Sequence, residues 1–403
     1  MSRKLTLDFL KTEAASGVIL ATSALIAIAL ANSPLRDSYF AFVQAPFTLQ
    51  VGGFEETKSV LKWTKDGLMA VFFFVVGLEI KYEILKGELS NPRKLAMPVF
   101  AAVGGMVAPA LVFLAFNMGE GGHPNGWPIP TATDIAFALA ALAIAAPKAP
   151  AALRVFLLTL AIADDLGAVM LIAILFTSDI NLPALGGALA GLAFMVWIGR
   201  WKTIPPLLFA AAFLVVWAFT LKSGVNTSLA GVAAALTVPI KPRRDGEEGV
   251  LKHYMEALHP YVAYGILPFF AFVAAGFSFS AFPADGILAP LPMGIAMGLL
   301  LGKPIGVFGA AALASALKLG QRPSGATWLQ LFGVSMLCGV GFTMSLFVGN
   351  LAFTSPDLLA ETKAGVFVGS LASALLGLLL LKIFGPDVPG SPSPGRRAEA
   401  TAP

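Results

Sequence analysis

Apolar stretches of about twenty residues recur along almost the whole chain, and only short polar segments separate them. A helix needs roughly 20 mostly apolar residues to cross the hydrocarbon core of a bilayer. Charged residues make up 12% of the chain, about half of what soluble domains carry. That is too little charge to cover a water-facing surface, which excludes an ordinary soluble enzyme, a disordered chain and a fibrous repeat. The pattern predicts an all-α polytopic membrane protein.

The apolar stretches predict twelve transmembrane helices, at about 15–32, 66–82, 95–116, 128–146, 151–176, 182–199, 204–221, 224–240, 259–280, 289–317, 327–353 and 363–384. The first ends in a sequence like a signal-peptide cleavage site, but its apolar run is too long, and we interpret it as an anchor. Residues 47–58 alternate loosely around Gly52 and Gly53, which predicts a short β-hairpin. Residues 385–403 are rich in Pro, Gly, Ala and Ser and predict a disordered tail, after a single transmembrane domain over residues 1–384.

Lys and Arg are distributed unevenly between alternate loops. Twenty of the 27 fall in segments that twelve spans put on one side of the membrane, six fall on the other side, and Lys303 lies within a span. Because positive residues concentrate in cytoplasmic loops, this bias predicts cytoplasmic N- and C-termini and an outside-facing hairpin. An isolated hairpin is marginal in water, so we expect it to rest on the membrane domain or on a second subunit.

The remaining composition excludes several other functions. The net charge of +4 comes without runs of Lys and Arg interleaved with aromatic residues, which favours loops that contact anionic lipids over nucleic-acid binding. The single cysteine, Cys338, excludes an intrachain disulfide and a Cys-based metal site. The three histidines lack a metal-binding spacing, and the sequence predicts no cofactor.

Two adjacent carboxylates, Asp164 and Asp165, lie in the middle of the fifth predicted span, in "LAIADDLGAVML". A charge at the bilayer centre costs about 2.5–3.5 kcal/mol on insertion scales, so such residues are candidates for function. Neighbours on a helix point about 100° apart, and two such carboxylates can border one cavity, where they hold protons or bind a small hard cation. The alternative is a pair of aspartates at a helix end near the interface, which the apolar residues on both sides disfavour.

Asp134 and Lys303 are two further charges that stand out within predicted spans. Asp134 follows Pro130 and Thr133 in "PIPTATDIAFAL", where proline disturbs the start of the fourth span. It either caps a helix that begins near Ile135 or belongs to a site on an interrupted helix. Lys303, in "LLLGKPIGVF", either snorkels to the membrane surface or pairs with one of the aspartates.

Gly339 and Gly341 mark a second interruption, in "LCGVGFTMSLF" of the eleventh span. Each glycine weakens a helix by about 1 kcal/mol relative to alanine, although close helix packing is an alternative role for small residues. Corresponding interruptions in two distant spans are typical of transporter sites.

Four side chains on the predicted cytoplasmic side are candidates for a pH response: Glu79, Glu83, Glu256 and His259. Glu79 lies two residues from Lys81, so a solvated salt bridge is one interpretation. The other is an acidic funnel that attracts cations and protons, with histidine as the side chain that titrates near neutral pH.

Several long motifs resemble the NhaA family of bacterial sodium/proton antiporters: "DGLMAVFFFVVGLEIKYE", "IPTATDIAFALAALA", "LAIADDLGAVM", "LKSGVNTSLAGV", "LHPYVAYGILPFFAF", "GLLLGKPIG" and "LCGVGFTMSLF". The resemblance extends from about residue 12 to residue 384. It implies twelve helices in two inverted repeats with interrupted helices 4 and 11, an arrangement for which this family is itself a known example. It also implies a bacterial inner-membrane location and a homodimer in contact through the hairpin.

The resemblance implies roles for individual residues as well. Asp164 and Asp165 bind the Na⁺ or Li⁺ ion and the protons, and Lys303 pairs with Asp164 in the sodium-free state. Thr133 and Asp134 lie where the interrupted helices cross, and Asp134 helps to balance the half-helix dipoles.

The candidates for a pH response resemble the cytoplasmic pH-responsive region of the family, with one departure. A histidine linked to the pH response is familiar at the position of Asn226, and asparagine does not titrate. The spacing of Glu256 before "LHP" also differs from the family pattern. The resemblance therefore predicts exchange, but it does not predict that exchange begins at the pH usual for the family.

The residues and the resemblance together predict a secondary transporter, not an enzyme, that expels sodium in exchange for protons by competition at the paired aspartates. If more protons enter than sodium ions leave, voltage contributes about 2.3 kcal/mol per net charge per 100 mV. Three alternatives are weaker. A cation channel usually has a repeated filter loop, an intramembrane aspartyl protease needs aspartates on two helices, and a structural scaffold needs no buried charge.

Overall fold

The computed structural model describes residues 3–51, 54–87, 92–177, 179–201, 205–240, 249–279 and 286–384. This part of the chain is mainly helical. Its α-helices are α1 (Arg3–Ala31), α2 (Arg36–Gln44), α3 (Val60–Trp63), α4 (Met69–Leu85), α5 (Pro92–Asn117), α6 (Ile135–Ala145), α7 (Ala151–Leu175), α8 (Leu182–Ile198), α9 (Pro206–Lys222), α10 (Ser228–Thr237), α11 (Val250–Tyr261), α12 (Leu267–Ala275), α13 (Pro290–Met297), α14 (Lys303–Ala316), α15 (Trp328–Leu337), α16 (Phe342–Ala352) and α17 (Pro356–Ile383). The predicted tail over residues 385–403 lies outside the described residues.

Each of the twelve predicted spans overlaps a helix, but some boundaries differ. The helix of the ninth predicted span begins at Val250 rather than at residue 259, and α17 begins at Pro356 rather than at residue 363. In both cases polar turns continue the helix beyond its apolar part. The sequence also missed α2, which follows α1 after a bend of 117°.

Length and apolar character alone support a smaller number of spans. Within the described residues, five helices are long and apolar enough to cross a membrane, or up to eight if each bent pair counts as one span. Three further apolar helices, α8, α9 and α10, are 10 to 17 residues long. The count of twelve and the inverted repeats stay predictions.

The predicted β-hairpin is confirmed. Strand β1 (Pro46–Val51) pairs antiparallel with β2 (Phe54–Ser59), in the register that sets Val51 opposite Phe54; the predicted turn residues 52 and 53 lie outside the described part. The hairpin rests on the helical body, because Trp63 Nε1 donates to the carbonyl oxygen of Phe47 at 2.7 Å and Lys222 Nζ lies 3.0 Å from Glu56 Oε1.

The chain is interrupted at both places that the sequence indicated. A segment of 3-10 helix that ends at Thr131 is bent by 43° from α6, and α15 is bent by 43° from α16. Residues 132–134 link the first pair and residues 338–341 link the second. We call these two links the crossing, because hydrogen bonds join them.

Helix α7 carries Asp164 and Asp165, α14 begins with Lys303, and α5 packs against both helices. Helix α7 packs against α4, α5 and α6, and α14 packs along α5. A β-carbon at Gly104 or at Gly306 would run into the backbone carbonyl of the other glycine, so α5 and α14 approach closely only because both residues are glycine. A π-helical turn, Gly298–Gly302, joins α13 to α14 and ends directly before Lys303.

Candidate functional site

Lys303 and Asp164 form an ion pair in the protein interior. Lys303 Nζ lies 2.7 Å from Asp164 Oδ2 and also donates to the backbone oxygen of Thr131. Lys303 is fully buried, and Asp164 is 2% exposed. A β-carbon at Gly105 would lie 3.6 Å from Lys303 Cε, so the lysine stem runs along the backbone of α5. The lysine therefore does not snorkel to the surface; it joins α7 to the segment before α6.

The second oxygen of Asp164 makes no close hydrogen bond, although Thr133 lies beside the carboxylate. Asp164 Oδ1 is buried and has no hydrogen-bond partner in the described part of the chain. Asp165, the next residue of α7, is equally buried, and the charges that act on it most strongly are three acids, Asp164, Glu79 and Asp134, together with Lys303. Two buried carboxylates that share one ammonium group are costly unless a proton or a further cation neutralises the remaining charge. The pair is thus suited to hold either species.

Asp134 caps two half-helices with one carboxylate. Its Oδ1 accepts from the backbone N–H of Phe137 at 3.0 Å, which makes Asp134 the N-cap of α6. Its Oδ2 accepts from the backbone N–H of Thr343 in α16 at 3.1 Å and from the Thr343 hydroxyl. The two interpretations of Asp134, a helix cap and a residue at an interrupted helix, therefore both apply.

The crossing is held together by main-chain groups as well. The N–H of Asp134 donates to the carbonyl oxygen of Val340 at 2.7 Å, and the Thr133 hydroxyl donates to that of Cys338 at 2.9 Å. Thr133 also lies next to Asp164. The crossing thus brings hydroxyl and carbonyl oxygens close to the paired aspartates.

Gly339 and Gly341 are required for this close approach. A β-carbon at Gly339 would run into the carbonyl oxygen of Leu299, and one at Gly341 would run into the Ser345 hydroxyl and lie 3.0 Å from Ala132 O. Both proposed roles of the glycines, an open helix and tight packing, are therefore combined in one place.

Two residues at the crossing were missed from the sequence, Ser370 and Ser373 of α17. Ser370 Oγ accepts from the backbone N–H groups of Gly341 at 3.2 Å and Phe342 at 3.1 Å. Ser373 Oγ donates to the carbonyl oxygen of Leu299 at 3.3 Å. Two hydroxyls three residues apart lie on one face of a helix, and this spacing within an apolar span was the signal that could have found them.

The candidates for a pH response are only partly brought together. His259 Nδ1 lies 3.8 Å from Glu79 Oε1, and both side chains are about half-buried. Glu83 lies one turn after Glu79 on α4, whereas Glu256 pairs with Lys252 at 3.4 Å on the exposed face of α11.

Glu79 faces His259 rather than Lys81. Lys81 Nζ instead donates to the carbonyl oxygens of Leu236 and Val238, each at 2.6 Å, at the C-terminal end of α10. Asn226 Oδ1 accepts from the N–H and the hydroxyl of Ser228 at the start of the same helix. The amide at that position therefore accepts hydrogen bonds just before α10, where the N-cap residue is Thr227.

Among the residues that the structure describes, no three His, Cys, Asp or Glu side chains cluster as a metal site requires. Two carboxylates with nearby hydroxyl and carbonyl oxygens instead form a sparse, hard-oxygen environment, which is typical of weakly held cations.

Comparison with known proteins gives a consistent family. The family model described as Na+/H+ antiporter 1 matches residues 7–381. The chain is 47% identical over 379 residues to Na(+)/H(+) antiporter NhaA 2 of Pseudomonas syringae pv. syringae, which covers 93% of this chain and 94% of that protein. It is 49% identical over 383 residues to Na(+)/H(+) antiporter NhaA of Rhizorhabdus wittichii, with 94% and 98% covered. A third relative, Na(+)/H(+) antiporter NhaA 2 of Erythrobacter litoralis, is 45% identical with 98% of both chains covered.

These matches extend over almost the full length of both partners, and the motifs of the site lie within them. Together with the apolar helices they identify a multi-pass membrane protein. The chain belongs to the NhaA family of Na⁺/H⁺ antiporters, and it is a sodium/proton transporter rather than an enzyme.

Proposed function

We propose that this antiporter expels Na⁺, or Li⁺, in exchange for protons by competition at Asp164 and Asp165, and that the exchange is electrogenic. One observation carries the proposal. The buried carboxylate of Asp164 has one oxygen against Lys303 and a second oxygen without a partner among the described residues. Because the two buried carboxylates of Asp164 and Asp165 face one ammonium group, a cation or a proton removes the negative charge that Lys303 leaves uncompensated.

Lys303 is the internal competitor for the cation. Its ammonium group neutralises Asp164 when no sodium is bound, so an entering Na⁺ must displace it. Na⁺ then loses part of its hydration shell and binds through the carboxylate oxygens, with the oxygens of the crossing nearby. Protonation of the aspartates reverses this step, because a neutral carboxyl group attracts neither Na⁺ nor the ammonium group.

Alternating access of the site to the two sides of the membrane converts the competition between Na⁺ and protons into exchange. If Na⁺ leaves on one side of the membrane and protons replace it from the other, the same two carboxylates couple the two fluxes. When more protons enter than sodium ions leave, the cycle moves net charge, and a potential of 100 mV contributes about 2.3 kcal/mol per charge. A cell that is negative inside would use that potential to expel sodium.

Proton flux in everted membrane vesicles tests the site. Addition of Na⁺ or Li⁺ to energised vesicles is expected to dequench a pH-sensitive dye in the wild type. Asp164→Asn and Asp165→Asn are each expected to abolish this response, whereas Glu120→Gln, which changes an exposed acid in the loop after α5, is a matched control that keeps it. Wild-type exchange by both aspartate variants would contradict the proposal.

Electrogenic exchange has a separate test. Purified protein in liposomes on a solid-supported membrane is expected to give a transient current when Na⁺ is added, with a sign that corresponds to more protons than sodium ions moved. Exchange without any current, measured on the same preparation by dye dequenching, would limit the proposal to neutral exchange.

The arrangement in the membrane is also proposed. We place both termini in the cytoplasm of a bacterium, with the protein in the inner membrane in contact with lipid, because of the uneven distribution of Lys and Arg. We propose a homodimer in contact through the outside-facing hairpin, and a pH response that involves Glu79, Glu83, Glu256 and His259. The contact between Glu79 and His259 supports the last point.

A further inference from the structure

Ser370 and Ser373 of α17 contact the broken backbone next to the ion site. Both side chains are buried, Ser370 with 4% of its surface exposed and Ser373 with none. Ser370 acts as an acceptor for two N–H groups at the start of α16, and Ser373 acts as a donor to the carbonyl of Leu299 in the π-helical turn. One helix therefore supports both irregular segments around the site.

The two contacts have opposite electrostatic sign. The N–H groups of Gly341 and Phe342 form the N-terminus of α16, which carries a partial positive charge. The carbonyl of Leu299 carries a partial negative charge. At such buried positions, an unpaired backbone group is screened less than it would be at the surface. Ser370 therefore reduces a positive potential, and Ser373 reduces a negative one.

Asp134 links Ser370 to the paired aspartates through its charge, and Lys303 links Ser373 to them through its ion pair. The next N–H of α16, that of Thr343, is bound by Asp134, which is one of the charges that act on Asp165. On the other side, Leu299 lies one helical turn before Lys303, the ion-pair partner of Asp164. A change in the field at either serine is therefore expected to reach the carboxylates.

We infer that Ser370 and Ser373 are positioning residues that adjust the affinity of the site for Na⁺ and protons in opposite directions. The inference rests on the proposed competition at Asp164 and Asp165. Without the Ser370 hydroxyl, the uncapped N–H groups make the site more positive, so Na⁺ binds less tightly and exchange begins at lower pH. Without the Ser373 hydroxyl, the free carbonyl makes the site more negative, so Na⁺ binds more tightly and exchange begins at higher pH.

Sodium titrations and pH profiles of Ser370→Ala and Ser373→Ala in everted vesicles test this inference. Ser370→Ala is expected to raise the apparent KM for Na⁺ on the order of threefold and to move the pH profile by a few tenths of a unit to lower pH. Ser373→Ala is expected to move both quantities by similar amounts in the opposite direction. A purely structural defect would move both variants in the same direction.

Three control variants belong to the same helix. Ser370→Thr and Ser373→Thr keep the hydroxyl and are expected to stay close to the wild type. Thr362→Val removes another buried hydroxyl of α17, whose Oγ1 has no hydrogen-bond partner among the described residues. It is expected to move neither the KM nor the pH profile.

Shifts of the same sign in the two alanine variants, or shifts no larger than that of Thr362→Val, overturn the inference. If an alanine variant does not fold, Ser370→Cys and Ser373→Cys replace the alanine variants. A thiol is a weaker acceptor and donor than a hydroxyl. The cysteine variants are therefore required to show smaller shifts of KM and pH profile with the same two signs. Asp164→Asn in the same vesicles separates the two hypotheses. If that variant still exchanges, the proposed function fails, and if it is inactive while the serine variants behave like the wild type, only this inference fails.

Discussion

The carboxylate of Asp134 and the first turn of α16 meet at Thr343. Asp134 Oδ2 accepts from the Thr343 N–H at 3.1 Å and from its hydroxyl, while Oδ1 caps α6. One carboxyl group thus faces the N-termini of two half-helices, each of which carries a partial positive charge. The two interrupted segments are joined by this single side chain as well as by their main-chain contacts.

Asp134→Ala is expected to lower the melting temperature of the protein. The substitution removes an acceptor from two helix starts, and the loss of one N-cap costs about 0.5–2 kcal/mol. Asp134→Asn keeps a carbonyl oxygen as an acceptor and is expected to lose less. Thermal unfolding in detergent, followed by tryptophan fluorescence, gives the melting temperatures of the wild type, Asp134→Asn and Asp134→Ala, which are expected to fall in that order. An Asp134→Ala protein as stable as the wild type would contradict the double cap.

Lys303→Met is expected to destabilise the protein strongly near neutral pH. Removal of one partner of a buried ion pair costs about 3–5 kcal/mol, because the other charge is left uncompensated. The double variant Lys303→Met with Asp164→Asn removes both charges and is expected to recover part of this loss. Melting temperatures of the wild type, the two single variants and the double variant complete the cycle.

The stabilities of the four proteins in this double-mutant cycle are also expected to depend on pH. Acidification is expected to reduce the defect of Lys303→Met, because protonation of Asp164 removes the charge that lacks a partner. The double variant carries no such charge and is expected to show no comparable gain. If the changes in melting temperature of the two single variants add up to the change in the double variant, Lys303 and Asp164 do not interact in the membrane domain.

Glu79→Gln and His259→Gln are expected to shift the pH profile of exchange by non-additive amounts. The side chains lie 3.8 Å apart, and their attraction exists only while the imidazole is protonated and the carboxylate is charged. Once one partner is neutral, the second substitution has little left to remove. Dye dequenching against pH measures the four proteins of the cycle. Fully additive shifts would show that this contact does not take part in the pH response.

Glu256→Gln provides the comparison within the same helix. Glu256 is exposed and pairs with Lys252 one turn away, an arrangement that contributes about 0.3–0.5 kcal/mol. We expect its pH profile to stay closer to the wild type than that of His259→Gln. A larger shift for Glu256→Gln would move the pH response to the exposed face of α11.

Replacement of residues 47–58 by a short Gly-Ser linker is expected to convert the protein from dimer to monomer while exchange persists. The hairpin contacts the body through Lys222 and Trp63, neither of which belongs to the paired-aspartate site. Its exposed strand edges are suited to pair with a second copy. Light scattering of the purified protein in detergent measures the mass, and removal of residues 385–403 is the matched control. A dimer that persists without the hairpin would place the contact elsewhere.

The positions of the helices and the charges of the site followed from the sequence for a physical reason. Lipid offers no hydrogen bonds, so spanning segments must be long, apolar and helical, and an aspartate or a lysine within them is costly enough to stand out. The same reasoning located both interruptions, since proline and paired glycines disturb a helix wherever it lies. The hairpin followed from its turn residues in a similar way.

The tertiary structure decided which of these groups meet. The pairing of Lys303 with Asp164 rather than Asp165, the double cap by Asp134 and the turn of Lys81 toward α10 depend on side-chain directions from helices far apart in the chain. The sequence did not indicate a role for Ser370 and Ser373, because a hydroxyl in an apolar helix usually forms a hydrogen bond with the backbone of the same helix. Only the packing of α17 against the crossing gives them the broken backbone as a partner, and no local pattern encodes that contact.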